Sequence, residues 1–391
     1  MVSFIKNTYA VLCRELNRIV ELKMPLLLML VLPMVSFVCF AFIFRNSIDS
    51  LPVAVLDEDH TALSRKLVTM VDDTPTALVA YEITDIDEGI RLMRQGKVYA
   101  ILQIPAFFEK NILGGGQTNV EFYNSGCNIS VNGLLAKDVQ TAVTTFSTGV
   151  QLQLLEAKGL TERQAMAQAR PLAFEKHILF NPYVNYAYYL APSMLAMMIL
   201  IFTVLTTIYL VGTELKYATA CEWMDVADGS IVAAVTGKLL PVTVVMSAMM
   251  LIVYGLVFSF IGAPLNGSAA VLIAAAVVFV LSYQAIGLFA VALFANLRLA
   301  LSFGGGYSVL AFTFSGLTFP TMAMYGGIRI FSYIFPFTFY MQIYVDIAMR
   351  GADWSYALPD MGWMMLFQLL PVVMLPRLKK LCMEEKYWGR L

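Results

Sequence analysis

AAVLIAAAVVFVLSYQAIGLFAVALFA, residues 269–295, decides the fold class: it contains no Asp, Glu, Lys, Arg or His. A bilayer core asks for about 20 predominantly apolar residues per helix, and this stretch exceeds that without a break. Working outward, further apolar stretches occupy 24–44, 184–211, 239–261, 299–319 and, shorter, 361–376. The whole chain is 59% hydrophobic and 14% charged, whereas soluble domains carry about a quarter charged residues. The charges fall in blocks between the apolar stretches, and the net charge of −1 identifies no partner. The reading is an α-helical polytopic membrane protein.

Orientation follows from the basic residues. Lys6, Arg14, Arg18 and Lys23 precede the first span, and Arg377, Lys379, Lys380, Lys386 and Arg390 follow the last. The positive-inside rule puts both groups in the cytoplasm, which requires an even number of crossings. Segment 328–349 is apolar but holds Arg329, Pro336 and Asp346. Counting it would make seven spans, so 320–350 reads as re-entrant or interfacial, leaving six transmembrane helices. The first span reads as uncleaved, because a signal peptide would need a shorter charged region and a small-residue cleavage site. Ahead of it, 1–23 forms an amphipathic helix with Ile5, Tyr9, Leu12, Leu16, Ile19 and Val20 on one face. Such a helix lies in the headgroup plane, its basic residues meeting anionic lipid.

Between 45 and 182 the pattern changes. Leu51–Leu56, Leu78–Ile83, Val98–Ile104 and Val120–Tyr123 read as strands. Ala62–Val71, a helix opened by Thr84-x-x-Asp87 and running to Arg94, and the long Val131–Lys158 alternate with them, and Thr161-x-x-Gln164 caps another helix. Gly114, Gly115 and Gly116 end a short helix before the fourth strand. This alternation predicts a small, mainly parallel sheet, an α/β domain inserted outside the cytoplasm. Residues 183–391 hold the five later spans, with a cytoplasmic loop at 212–238 and a short turn at Asn296–Arg298.

Little in the chain resembles a reaction centre. By these boundaries the second to fifth spans lack ionisable residues, which argues against a proton relay. Cysteines 13, 39, 127, 221 and 382 form no metal-ligand pattern, and one alone falls in the outer domain, so no disulfide staples it. Asp57-Glu58-Asp59-His60 reads as an acidic strand-to-helix turn before it reads as a metal site, and His177 is isolated. Metal ligands are therefore expected to be none. Gly304, Gly305 and Gly306 either seat a neighbouring helix within the chain or meet a second copy. The 23 methionines and the aromatic clusters 183–189 and 331–344 either line a path for apolar molecules or form interfacial belts. The polar stretch Gly212, Thr213, Glu214, then Glu222, Trp223, Asp225, then Gly237, Lys238 is either a docking surface for a partner or a solvated turn.

Taken in order, several segments resemble the ABC-2 type exporter permeases, in particular the branch with a large domain after the first span. Arg14-Glu15 and Arg18, followed by Pro25 and Pro33, are similar to that family's interfacial helix and first span. Leu51–Asp59 with Ser64-Arg65, and Ala100–Pro105 with Phe108, resemble its outer domain. Gly212-Thr213-Glu214 and Gly237-Lys238 with Pro241 resemble the brackets of its coupling loop. The run Phe314–Pro320, with Gly316, Phe319 and Pro320, then Pro336 and Gly351, resembles its outer gate before the last span. The loop departs from the pattern in lacking a proline after Asp225.

The resemblance covers essentially the whole chain and implies a dimeric permease driven by separate ATPase subunits. The chain agrees in lacking a G-x-x-x-x-G-K-[ST] phosphate loop, so ATP and magnesium are expected on a partner P-loop ATPase and no cofactor on this chain. The expected function is export of a hydrophobic or amphipathic substrate (a drug, lipid or lipopeptide) from the inner membrane, beside a second permease copy or relative and a periplasmic adaptor. The competing expectation is a receptor or scaffold whose outer domain binds a ligand. A membrane enzyme is disfavoured, because nucleophile, base and metal ligands do not converge in the sequence.

Overall fold

The computed structural model describes residues 2–45, 49–127, 129–169, 179–181, 185–316 and 319–389. His177, Tyr183, Leu317 and Thr318, singled out above, lie outside those residues, as does the expected boundary at 182. The chain divides into two compact units, Met1–Arg45 with Ile178–Leu391, and Asn46–His177.

The first unit opens with helix α1 (Val2–Leu22) and the apolar run Met24–Phe44 (α2), which carries a π turn at Leu27–Val31. The second unit then supplies β1 (Leu51–Asp57), α3 (Ala62–Asp72), β2 (Ala77–Glu82), α4 (Ile86–Arg94), β3 (Ala100–Ile104), α5 (Phe108–Leu113), β4 (Glu121–Asn124), α6 (Ile129–Ala157) and α7 (Glu162–Ala169). Its sheet has the order β2-β1-β3-β4. β1 pairs in parallel with both neighbours, and β4 runs antiparallel to β3.

Both faces of β1 are covered, which explains its unbroken apolar run. Val53 and Val55 pack with Leu67, Val71 and the α6 residues Leu135, Val139 and Phe146 on one side. Ala54 and Leu56 pack with Ile83 and Ile101 on the other, against α4. The cap of α4 is Asp85, whose side chain accepts from the Asp87 N–H, rather than Thr84 as the capping-box spacing suggested. Thr61 and Ser64 form a reciprocal capping box on α3, masked in the sequence because Ser stands where Glu is customary. Asp57 and Asp59 are spent on local bonds. Asp57 accepts from the Asp59 and His60 N–H groups and the Ser64 hydroxyl. Asp59 accepts from Thr61 Oγ1 at 2.7 Å and Glu109 N at 2.9 Å.

Returning to the first unit, α8 (Tyr186–Lys216), α9 (Ala220–Val226), α10 (Ile231–Gly255), α11 (Ala269–Phe294), α12 (Leu297–Thr313), α13 (Gly326–Ser332), α14 (Pro336–Ile343), α15 (Ala357–Leu366) and α16 (Leu369–Met383) complete the chain. Among the described residues five stretches are long and apolar enough to cross a membrane: Met24–Phe44, Leu190–Lys216, Ile231–Phe260, Ala269–Phe294 and Trp354–Met383. The stretch expected as a span at 299–319 instead forms α12, of 17 residues. At about 1.5 Å per residue it sits at the lower limit for crossing a roughly 30 Å hydrocarbon core. The last stretch is longer than the expected 361–376, because residues 354–356 and α16 extend it. α13 and α14 have 7 and 8 residues, too few for either to span alone.

The core of this unit gathers around α8 and α11, with Leu195, Ile199, Val204, Ile208, Phe279, Tyr283 and Ile286 buried. Several polar side chains inside it bond to backbone carbonyls, as an apolar surrounding favours, although the Thr206 and Thr207 hydroxyls are buried without a partner among the described residues. Thr203 donates to Ile199 O, Ser282 to Val278 O and Met364 O, and Gln284 to Leu239 O. At one end of the unit Asn7 donates to Ala227 O, the Gly389 N–H to Leu215 O, and Cys221 Sγ contacts Cys382 O at 3.7 Å. Thus α1, the connection after α8 and the last residues of α16 meet there. Beyond the other end of α10, Asn266 bonds to Ala348 O and Met349 O.

Candidate coupling site

The expected cytoplasmic loop 212–238 is mostly helix. Gly212, Thr213 and Glu214 belong to the last turns of α8, and Gly237 and Lys238 to the second turn of α10. The connection proper is 217–230, broken by left-handed backbone at Ala218, Asp228 and Gly229. Within it α9 turns Trp223 and Met224 fully inward and leaves Glu222, Asp225 and Asp228 exposed. Trp223 is therefore an anchor inside this chain, not a contact for a partner. Its indole Nε1 donates to Ala234 O at 3.2 Å.

Glu214 and Lys238 are also withdrawn from any partner, being wholly buried together with Glu15. The three meet Arg14 and Arg18 in one ion network. Arg14 grips Glu214 with two bonds, of 2.7 and 3.2 Å, and reaches Glu15 at 2.9 Å. Lys238 Nζ lies 2.5 Å from Glu15 Oε1 and 2.8 Å from Glu214 Oε1. Arg18 pairs with Glu214 as well. Thr219 Oγ1 donates to Glu214 Oε2 and accepts from Arg18 at 3.1 Å.

The network thus holds three cations against two carboxylates. The Trp223 ring lies under the surplus, its centroid 4.8 Å from Lys238 Nζ, where an aromatic face attracts a cation. Burial alone would lower the Arg14 guanidinium. Its hydrogen bond to Glu214, with the charges of Glu214, Glu15 and Glu222, outweighs burial and raises it.

Most of the apolar face of α1 expected to meet the membrane stays exposed; what departs from expectation is the partner of its arginines. Ile5, Tyr9, Leu16 and Val20 face outward, whereas Val11, Glu15 and Ile19 are buried. Arg14 and Arg18, one helical turn apart, meet Glu214 instead of lipid phosphates, because a buried carboxylate needs paired cations far more than a solvated headgroup does. Gly237 permits the close approach: a Cβ there would lie 2.6 Å from Thr8 O and 2.8 Å from Val11 Cβ. Gly212 likewise receives Leu297, with a Cβ-to-Leu297 distance of 2.7 Å.

The residues resembling an outer gate belong to the opposite end of the unit. Gly316 adopts φ +83° against Thr321, Phe319 is exposed, and Pro336 is the buried first residue of α14. Pro320 is exposed before the short turn Thr321–Ala323.

The sequence reading found Arg14, Glu15, Arg18, Glu214 and Lys238 but placed them in two separate features. A signal for their union was present, since each set puts charges where apolar neighbours offer no other partner. Thr219 was missed, as one hydroxyl in a connection carries no pattern. Among the described residues no group of His, Cys, Asp and Glu could hold a metal ion. The site offers no nucleophile with a base. What it provides is mechanical: α1, α8, α9 and α10 are tied at one point by buried charge.

No curated protein matches the chain at a significant level. The family model of the ABC-2 family transporter proteins matches residues 24–375, a range that runs from α2 into α16 and takes in Glu214 and Lys238, and the chain belongs to that family of ABC transporter permeases.

Proposed function

We propose that this chain is the permease subunit of an ATP-driven exporter in the cell inner membrane, and that 217–230 is where a separate cytoplasmic P-loop ATPase pushes. The observation that carries this reading is the buried network beneath α9. A short helix with Glu222 and Asp225 exposed on one face and Trp223 locked on the other passes force to α1, α8 and α10 through charges that cannot separate cheaply. ATP and magnesium act on the ATPase, whose closure would move α8 and α10 together.

The meeting of α1, the connection and the last residues at one end supports cytoplasmic N- and C-termini. With α12 as a short sixth crossing, the unit Asn46–His177 then lies outside. The spans Met24–Phe44 and Ala269–Phe294 carry no charge, and α8 and α10 carry theirs near that one end, which supports a hydrophobic or amphipathic cargo, in the class of drugs, lipids or lipopeptides. A second copy or a related permease completes the transporter, and the outer unit is available to a periplasmic adaptor.

The test is to purify the C-terminally tagged chain from native membranes and identify what accompanies it by mass spectrometry. A stoichiometric P-loop ATPase is expected, and it should be lost from a Glu222→Lys/Asp225→Lys variant that still purifies as a folded chain. Absence of any ATPase across several mild detergents would overturn the exporter reading and favour a receptor or scaffold.

A further inference from the structure

A cleft of about 520 Å³ lies at the end of the first unit away from the ion network, between the turn after α12 and the segment 329–350. Its volume falls within the range of small-molecule sites. Gly316 and Pro320 form part of its rim, and Tyr333, Met341 and Val345 give it an apolar wall. Two guanidinium groups also line it. Arg329 makes no side-chain hydrogen bond or ion pair among the described residues. Arg350 has Asp346 as its partner, at 2.6 Å, one helical turn away on the same segment. Two cations and one carboxylate line the cleft; Asp360, close enough to feel the Asp346 charge, stands behind it, and within the lining Arg329 is left without a counter-charge beside an apolar surface. Met322, at its edge, is 89% exposed, so the apolar wall continues outward.

We propose that this cleft binds an amphiphile with an anionic head, the carboxylate or phosphate seated by Arg329 and Arg350 and the tail along Tyr333, Met341 and Val345. The two guanidinium groups separate this from a purely apolar path. An apolar wall alone accepts any greasy molecule, whereas a guanidinium with free donors discriminates for oxyanions through paired, charge-assisted bonds. The cleft is too small to enclose a whole two-chain lipid, so a bilayer phospholipid would insert its head and leave its chains outside. A single-tailed molecule would enter further. The anion has two sources, a membrane lipid or an exported molecule. The second rests on the exporter reading; binding itself does not.

The experiment uses the purified full-length chain in a neutral maltoside detergent, without ATPase, so its outcome is independent of whether an ATPase co-purifies. The probe is 11-(dansylamino)undecanoic acid, compared with its methyl ester, which keeps the tail and removes the charge. The acid should bind at least about tenfold more tightly than the ester, the worth of one charge-assisted hydrogen bond. Arg329→Gln/Arg350→Gln should abolish that preference. Equal binding of acid and ester, or an unchanged preference in the double variant, overturns the proposal. Should the double variant fail to fold, Met322→Glu at the exposed mouth replaces it; it should weaken the acid and spare the ester, and no difference between them refutes the site. Displacement of the acid by phosphatidylglycerol assigns the cleft to membrane lipid. Resistance to it, with preference intact, assigns the cleft to a single-tailed anionic cargo.

Discussion

Replacing Glu214 by glutamine preserves shape and removes one charge, which isolates what the buried network contributes. In the native chain Glu214 accepts from Arg14 twice and pairs with Arg18 and Lys238. The amide leaves three cations facing Glu15 alone, one of them the wholly buried Lys238. Removing one partner of a buried charge pair costs about 3–5 kcal/mol, because the other charge is stranded. That is roughly two to three and a half powers of ten in an equilibrium. Against it, α1 is held to its neighbours by the buried side chains of Val11 and Ile19, worth about 1.5–3 kcal/mol each. The two sums are comparable, so Glu214→Gln should undock α1 in a large fraction of openings while the helices around α11 stay packed. Hydrogen exchange followed by mass spectrometry in detergent reads this directly. Amides in α1 should exchange about a hundredfold faster or more, and those of α11 at the native rate. Adding Lys238→Met removes a stranded cation and should recover part of the protection. Unchanged exchange in α1 refutes the claim that charge holds it. Loss without recovery by Lys238→Met refutes stranded charge as the cause.

Two further expectations rest on separate features. A Cβ at Gly304 would lie 2.6 Å from Ile208 Cδ1 and 2.8 Å from Val204 Cγ1, whereas Gly306 has nothing within 4 Å. Gly304→Leu should therefore lower the melting temperature by the equivalent of about 1–3 kcal/mol of overpacking, and Gly306→Leu should leave the single chain folded; a shift from dimer to monomer with Gly306→Leu would mark that face as a contact between copies. In the second unit, burial alone would raise the Asp59 carboxyl, but the Glu109, Phe108 and Phe107 N–H groups and the Thr61 hydroxyl outweigh it and hold it below its usual value. A depressed carboxyl contributes stability above its unfolded value, about 3.9, and loses it as pH falls through the folded value. The melting difference between the native chain and Asp59→Asn should thus be largest near pH 6 and vanish toward pH 2. A constant difference across that range would show that Asp59 acts without titrating.

The membrane class and the sheet strands were legible because burial imposes simple periodicities. An uncharged run such as 269–295 has one stable environment, and the largely apolar β3 reads as a strand covered on both faces, where Ala100, Leu102 and Ile104 pack on one side and Ile101 on the other. Family membership was legible in the order of Gly, Pro and charged residues along the chain. The ends of elements were harder. α8 runs on to Lys216 and α10 begins at Ile231, because Glu214 and Lys238 gain partners inside the protein and so do not terminate helices as solvated charges would. Asp85 displaced Thr84 as a cap on local backbone geometry alone.

What the sequence determined by itself was the kind of environment each stretch requires, since hydrophobicity and propensity are local properties. What only the tertiary structure decided was the pairing of charges. Arg14 and Glu214 are 200 positions apart, and nothing local distinguishes an arginine that meets lipid from one that meets a buried carboxylate. The same holds for Trp223, whose amphipathic ring suits a membrane interface, a partner or an interior equally. Its place beneath Lys238 follows from where α9 is carried by α8 and α10, because the energy of a buried charge depends on distance to its partner and not on sequence.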